Sequence, residues 1–346
     1  MLDNRRQAAV VGFLAAALLL AGLFWYVGAA EVFAELVDAD LRLVALVGAT
    51  AIAWLLSWAL VLRLVLGALG RTLPAHESVL VYAAATFANN VTPFGQAGGE
   101  PITALLIADV ADVEYERGLA TIASTDALNF VPSILLAVGG VAYYATQVGL
   151  QGRLETVASG VLALAIAAPV LFAVGWRYRY RVEAALLEAT APVLSRLDRT
   201  LPWLPVPTSE GVKARIEGFF HAIERIATSP KRLALALACS AAGWLLQALG
   251  LWIAFQAFGV TVPLYIALFV IPIGTIASAS PTPGGLGAIE AVHVLLLTVA
   301  TAVPASTVTA VVAVHRVGGF LLMTSLGGGA TAYLWTTGRR TGPAAD

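Results

Sequence analysis

The chain has 346 residues, of which 59% are hydrophobic and only 12% are charged, and its formal net charge is −1. Soluble globular proteins carry roughly 25% charged residues, so this composition excludes an ordinary soluble domain. It predicts an all-α polytopic membrane protein, in which the distribution of the charges is more informative than their sum.

Six long apolar stretches predict six spanning helices, near residues 8–28, 43–68, 118–146, 155–176, 231–258 and 305–335. Each is long enough for a bilayer, which takes about 20 apolar residues in a helix. The first follows Arg5 and Arg6 and exceeds the apolar core of a typical signal peptide, so we expect a retained helix. The single cysteine, Cys239, lies in an apolar run, where we expect it to be a small core residue.

Two further stretches, residues 77–110 and 263–300, are each interrupted by a polar, glycine-rich motif. Residues 92–100 read TPFGQAGGE and residues 282–290 read TPGGLGAIE. Because the apolar part before the first motif is only about 14 residues long, it suits a half-helix rather than a span. We therefore predict a re-entrant helical hairpin in each stretch. Two full spans remain the alternative for the second stretch, whose arms are longer.

The two motifs belong to a longer internal duplication with a constant displacement of 190 residues. The same displacement carries Trp54 onto Trp244 and Asp126 onto Arg316, and it aligns four motif residues of each copy, Thr92, Pro93, Gly95 and Glu100 with Thr282, Pro283, Gly285 and Glu290. Agreement in three separated segments predicts two repeat units, residues 43–146 and 231–335. Counting the crossings gives the units opposite topology, so the glycine-rich tips should meet near the membrane midplane, as in inverted-repeat transporters.

The basic residues fix the expected orientation. With a cytoplasmic N-terminus, sixteen of the twenty lysine and arginine residues fall on the inner side, as the positive-inside rule requires. We expect one integral domain over residues 1–346, in the plasma membrane, with both termini cytoplasmic. Residues 177–230 are predicted to form a cytoplasmic amphipathic connector on the inner leaflet, with a covering or a regulatory role.

The tips supply most of the candidate substrate-binding residues. Glycines permit tight turns and expose backbone amides at the start of a half-helix, where the dipole favours an anion such as a phosphate headgroup. The alternative is that they serve only close helix packing. The candidates are Asn90, Thr92, Pro93, Gly95, Gln96, Gly98, Gly99, Glu100, Asp126, Thr282, Pro283, Gly284, Gly285, Gly287, Glu290, His315 and Arg316.

The intramembrane charges have two readings each. Glu100 and Glu290 lie in the first turns of their half-helices. They could interact with the helix dipole in a purely structural role, or they could transfer protons or bind a cationic headgroup. Asp126 and Arg316 are expected to form a buried ion pair. As an alternative, a lipid phosphate could replace Asp126 as the partner of Arg316 during transport, and His315 is adjacent to Arg316 in the sequence. We predict no catalytic group, cofactor or metal site, because the E-x-x-H spacing from Glu290 has no second cluster.

Both motifs together, and above all PTPGGLGAIE at residues 281–290, resemble the lysylphosphatidylglycerol synthase transmembrane-region family. This is also known as the flippase-like domain family and includes UPF0104-type proteins, and the resemblance covers roughly residues 8–335. In relatives this domain moves an aminoacylated phospholipid between leaflets and is fused to the soluble domain that makes it. We expect a stand-alone member without that synthase domain. Stand-alone relatives imply polyprenyl-phosphate sugars or other lipids as alternative substrates.

These observations favour a lipid flippase that passes a polar, phosphate-containing headgroup through a cleft between the two hairpins, and not an enzyme. The expected partners are a phospholipid or a polyprenyl-phosphate-linked sugar, together with a separate lipid-modifying synthase or glycosyltransferase, and no nucleic acid. A small-solute or ion secondary transporter is the alternative, since inverted hairpins serve it equally well. A membrane-embedded lipid-modifying enzyme ranks last, because none of the four histidines stands in a recognisable catalytic arrangement.

Overall fold

A computed structural model describes residues 29–148 and 227–337, together with isolated positions outside these ranges. Every regular element within the two ranges is helical. The spans predicted near residues 8–28 and 155–176 lie outside the described residues apart from those isolated positions, and so does the connector 177–230 except for its last four residues.

The first range contains five helices, α1 (Ala29–Val37), α2 (Leu41–Ala68), α3 (Ala75–Val91), α4 (Gln96–Ala111) and α5 (Tyr115–Val148). The second contains another five, α6 (Pro230–Ala257), α7 (Leu264–Thr275), α8 (Ala288–Ala300), α9 (Ala305–Arg316) and α10 (Met323–Thr337). Two 3₁₀ turns, Ile276–Ala279 and Pro283–Gly285, connect α7 to α8. A π-helical segment, Val317–Leu322, joins α9 to α10, so that the three form one continuous helical segment.

Five segments of the described chain are long and apolar enough to cross a membrane: Leu41–Ala68, Tyr115–Gln147, Pro230–Ala257, Pro283–Ala300 and Ala305–Thr336. Four of them confirm the helices predicted near residues 43–68, 118–146, 231–258 and 305–335. The fifth lies in the second interrupted stretch. The arms α3 and α4, with 17 and 16 residues, rise only about 26 and 24 Å, less than the roughly 30 Å hydrocarbon core.

Helix α1 was not predicted from the sequence. It has 9 residues, too few for a span, and it precedes α2 by a short link in which Asp40 caps α2 by accepting from the amide of Arg42 at 2.8 Å. The helix packs on α9, where Glu35 accepts a hydrogen bond from the hydroxyl of Thr307 at 2.8 Å. It therefore fastens the start of α2 to the second half of the chain.

Helices α2 and α6 run antiparallel and are in contact along much of their length. At one end the amide of Asp40 donates to the carbonyl of Ala257 at 2.9 Å. Towards the other end the hydroxyl of Ser57 donates to the carbonyl of Cys239 at 2.8 Å. The first helix of each predicted repeat thus lies beside its counterpart and points in the opposite direction.

Tryptophans fill the contact between α2 and α6. The Trp58 ring lies 5.1 Å from the ring of Trp54 and 5.2 Å from that of Trp244, and its indole nitrogen donates to the carbonyl of Ser240 at 3.1 Å. Gly243 leaves the space that the Trp58 ring occupies, since any side chain there would overlap the ring. A glycine on one helix therefore lets a large aromatic residue on the other seat the crossing.

Two further helix pairs join the two halves. Helix α3 lies against α10, where Gly327 faces the backbone of Ala83, and α7 lies against α5, where Gly140 faces the backbone of Phe269. The helix bounds of the two halves also correspond, within two residues, at the displacement of 190 when α7 is counted together with its 3₁₀ turn. These contacts and bounds are consistent with the duplication predicted from the sequence.

Candidate functional site

The first motif forms the tight turn between α3 and α4, as its predicted interruption of the stretch requires. Thr92 leaves the helix in an extended conformation, with its hydroxyl bound to the carbonyl of Ala88 at 2.7 Å. Pro93 follows, and then Phe94 and Gly95 take positive φ angles of 64° and 53°. Only glycine adopts such angles without strain, so the strained Phe94 is a notable feature of this tip.

Two glycines at the start of α4 allow the chain to return directly over α3. A methyl group at Gly98 would overlap the carbonyl oxygen of Pro93, and one at Gly99 would overlap Asn89. The amides of Gly98 and Gly99 both donate to the carbonyl of Gly95, at 3.2 and 3.0 Å. These two amides are therefore satisfied inside the tip, while Phe94 and Gln96 are exposed beside it.

The second motif forms a buried tip between α7 and α8. Pro283 begins a 3₁₀ turn, and the three motif glycines have positive φ angles, 56° at Gly284, 68° at Gly285 and 81° at Gly287. Thr282 is 1% exposed, and its hydroxyl lies 2.7 Å from that of Ser280. This tip needs its glycines for backbone conformation more than the first tip does.

The two tips touch each other. A methyl group at Gly284 would meet the backbone of Asn90, and one at Gly95 of the first tip would meet the carbonyl of Ser278 beside the second. The side-chain amide of Asn90 donates to the hydroxyl of Thr324 on α10 at 2.9 Å. The structure thus brings together the motif residues that the sequence placed in one site, and it adds Ser278 and Thr324, which carry no motif signal.

Glu290 organises the second tip through both carboxylate oxygens. Oε2 accepts from the amide of Gly287 at 2.6 Å, and Oε1 accepts from Nε of Arg316 at 2.5 Å. The guanidinium also reaches the carbonyl of Gly284 at 3.4 Å and lies over the ring of Phe320 at 4.9 Å. Glu290 therefore occupies the anion position at the helix N-terminus itself, and the side-chain accessibilities of the pair are only 9% and 16%.

The expected pair between Asp126 and Arg316 is wrong. Arg316 is bound to Glu290, and the carboxyl group of Asp126, which is 9% exposed, instead interacts with that of Glu100 on the neighbouring helix. The reason is the chain path: α4 and α5 are neighbours, as are α8 and α9, so each charged residue meets the motif glutamate of its own half.

The two halves therefore repeat one arrangement with different chemistry. In each, the glutamate that closes the motif faces the residue at the matching position of the following helix, 26 residues later. The second half makes a salt bridge there, from Glu290 to Arg316, whereas the first half opposes two acids, Glu100 and Asp126. The shared geometry explains why the sequence aligned Asp126 with Arg316.

Two buried histidines extend the polar region from Arg316. The rings of His293 and His315 lie 6.5 Å apart, and His293 packs against Gly274 of α7. His315 also borders a small cavity, where Nδ1 of His315 and the side-chain nitrogen of Gln247 have no hydrogen-bond partner among the described residues. Thr50 lines the same cavity. Gln247 was missed at the sequence level, although its polar side chain interrupts the apolar run from Leu245 to Phe255.

Comparisons with known proteins identify the family of this chain. The family model described as the lysylphosphatidylglycerol synthase TM region matches residues 9–327. Two UPF0104 membrane proteins of Methanothermobacter thermautotrophicus are similar to this chain. One is 25% identical over 331 residues, covering 94% of this chain and 92% of its own length. The other is 24% identical over 249 residues, covering 71% of each chain. The chain therefore belongs to the lysylphosphatidylglycerol synthase transmembrane-region family.

Proposed function

We infer that this protein is a flippase, which moves a lipid with a polar, phosphate-containing headgroup between the leaflets of the plasma membrane. The observation that carries the proposal is the meeting of two glycine-rich tips at a group of buried charges inside an apolar protein. Broken helices and ionisable residues at membrane depth are costly and mark a substrate pathway. The family name connects the domain with phospholipid chemistry.

The proposal includes an inverted-topology repeat with six spans and two re-entrant hairpins. Three observations support it: the matched helix bounds, the antiparallel contact of α2 with α6, and the packing of α3 on α10 and of α7 on α5 across the two halves. The arms α3 and α4 are too short to cross a hydrocarbon core of roughly 30 Å, and the α-helical part of α8 has only 13 residues. In this arrangement the hairpins enter from opposite faces, and both termini are cytoplasmic.

The headgroup would bind between the tips, with the acyl or isoprenoid chains left in the bilayer. Arg316 is the natural phosphate ligand, because its planar guanidinium donates to two oxygens at once. It is held by Glu290 in this state, so the phosphate would replace a carboxylate on the same guanidinium. The first tip is the more accessible of the two, with Phe94 and Gln96 exposed, and rocking of one half against the other would alternate access.

Leaflet exchange in proteoliposomes tests this function. Fluorescent phosphatidylglycerol, its lysyl ester and a polyprenyl-phosphate sugar would be reconstituted one at a time with the intact protein, Arg316→Gln or Asp112→Asn. Asp112 is the matched control, because it also pairs with an arginine, Arg71 at 3.0 Å, but with a side chain that is 91% exposed. We expect exchange of at least one lipid by the intact protein and by Asp112→Asn, and its loss in Arg316→Gln.

Two results would overturn the proposal. Exchange that is unchanged in Arg316→Gln would remove the tips from the pathway. Absence of exchange for every lipid, by protein that is correctly inserted, would favour a transporter of small solutes.

A further inference from the structure

The two carboxyl groups of Glu100 and Asp126 form a site that the second half of the molecule lacks. In both halves the motif glutamate faces the residue at the matching position of the next helix. Only in the second half is that residue a cation, Arg316. In the first half Asp126 is 9% exposed and Glu100 is half-buried. Two acids thus meet at the place where the duplicated geometry elsewhere holds a salt bridge.

No basic side chain of the described chain compensates the pair. Arg316 is engaged by Glu290, and Arg63 donates to the carbonyl of Leu73. Arg117 begins the same helix as Asp126 but is exposed and lies nine residues away, about 13 Å along the axis. Tyr82 of α3 is close enough for the charge of Asp126 to act on it, but a phenol is neutral or anionic and supplies no positive charge.

The chemistry of the contact requires a proton. Two neighbouring buried carboxylates repel each other, which favours a state in which one of them keeps its proton. A protonated carboxyl group can donate to the ionised one, so the two hold one proton between them. Two adjacent negative charges without a counterion are also unfavourable at membrane depth. The pair can therefore exist as a close, singly protonated contact or as two separated anions.

Further buried polar atoms stand beside the pair. The hydroxyl of Thr103, one turn after Glu100, and the amide oxygen of Asn129, one turn after Asp126, belong to side chains with 0% and 7% exposure, and neither has a hydrogen-bond partner among the described residues. Spacing of three residues places each on the face of its acid. In the second half the counterpart of Thr103 is His293, a buried residue close enough for the charge of Arg316 to act on it.

We propose that Glu100 and Asp126 bind one exchangeable proton, and that its uptake and release couple lipid movement to the proton gradient. This rests on the proposed flippase function. The protonated pair ties the first hairpin to α5, and proton loss separates two negative charges and frees the hairpin. The salt bridge of Glu290 with Arg316 needs no proton, so proton release acts on the first hairpin, whereas the second one responds to the headgroup phosphate at Arg316.

Infrared spectroscopy of the purified, reconstituted protein tests the site without any transport measurement. The carbonyl stretch of a protonated carboxyl group should be present at neutral pH and disappear at alkaline pH. Glu100→Gln combined with Asp126→Asn should remove this band, and Glu290→Gln should retain it. A band that persists in the double variant, or its absence from the intact protein, would overturn the proposal.

A second variant guards against misfolding and tests the coupling. Asp126→Arg gives the first half the charge pattern of the second, so it should fold, lose the infrared band and abolish the response of lipid exchange to an imposed pH gradient. Asp112→Asn should keep both. Exchange by the intact protein that responds to a sodium gradient at constant pH, and not to a pH gradient, would exclude proton coupling. An infrared band that behaves as expected in a protein that exchanges no lipid would retain the proton site and remove the flippase function.

Discussion

The single side chain of Glu290 has three structural roles. It caps the amide of Gly287, neutralises Arg316 and so holds α9 against the start of α8. The attraction within a buried ion pair adds little net stability, because both charges have been removed from water. Breaking the pair has the larger effect. Removing one partner leaves an uncompensated charge, which costs about 3–5 kcal/mol.

Replacement of this carboxylate should therefore destabilise the protein. We expect Glu290→Gln to lower the free energy of unfolding in detergent by about 3–5 kcal/mol, because Arg316 would keep its charge in a buried place. The surface pair of Asp112 with Arg71 is exposed, so Asp112→Asn should change it by at most about 1 kcal/mol. Equal shifts in the two variants, measured by thermal unfolding, would show that the buried pair has no special role.

The sequence identified these residues but not their partners. The displacement of 190 residues relates Glu100 to Glu290 and Asp126 to Arg316. It could not tell which acid faces Arg316, because a repeat fixes equivalence and not proximity. Contact depends on which helices are neighbours, and this is known only after the halves are packed.

At the scale of the elements, the α3–α4 hairpin depends on backbone approach. Gly98 and Gly99 leave no room for a side chain between α4 and the end of α3. By contrast, Gly139 on α5 has nothing within 4 Å of the place where a side chain would begin. The chain thus offers a matched pair of sites for one substitution.

Alanine should have opposite effects at these sites. Gly98→Ala should destabilise the protein by about 1–3 kcal/mol, as overpacking does, because the methyl group meets a carbonyl that cannot rotate away. Gly139→Ala should be neutral, or stabilise by at most about 1 kcal/mol through helix propensity. Unfolding of both variants under the same conditions measures the difference, and a Gly98→Ala protein as stable as Gly139→Ala would show that the hairpin is loosely packed.

Sequence patterns predicted the helices well and their interruptions partly. Apolar length gave α2, α5 and α6 to within a few residues, and the Thr-Pro pair with its glycines gave both breaks. Helix α1 was missed because it is short and amphipathic. The π-helical segment Val317–Leu322 was missed as well, because one extra residue in a turn leaves no clear mark in an apolar run.

At the scale of the whole molecule, the proposed inversion places equivalent loops on opposite sides of the membrane. Thr72, in the loop after α2, and Thr261, in the loop after α6, are both exposed. In a Cys239→Ala background, Thr72→Cys should react with an impermeant maleimide only after the membrane is opened, and Thr261→Cys in intact cells. Reaction of both cysteines from the same side would contradict the inverted repeat.

The most direct test of the account is whether lipid exchange requires movement of the two halves against each other. Asn90 of α3 and Thr324 of α10 are in contact through a hydrogen bond of 2.9 Å, so Asn90→Cys with Thr324→Cys in the Cys239→Ala background permits a short, reversible cross-link. Leaflet exchange of fluorescent lipid would be measured before and after reduction. The account predicts that the linked protein is inactive and that reduction restores exchange to the rate of the same double variant before linking. Exchange at an unchanged rate while the halves are linked would contradict it.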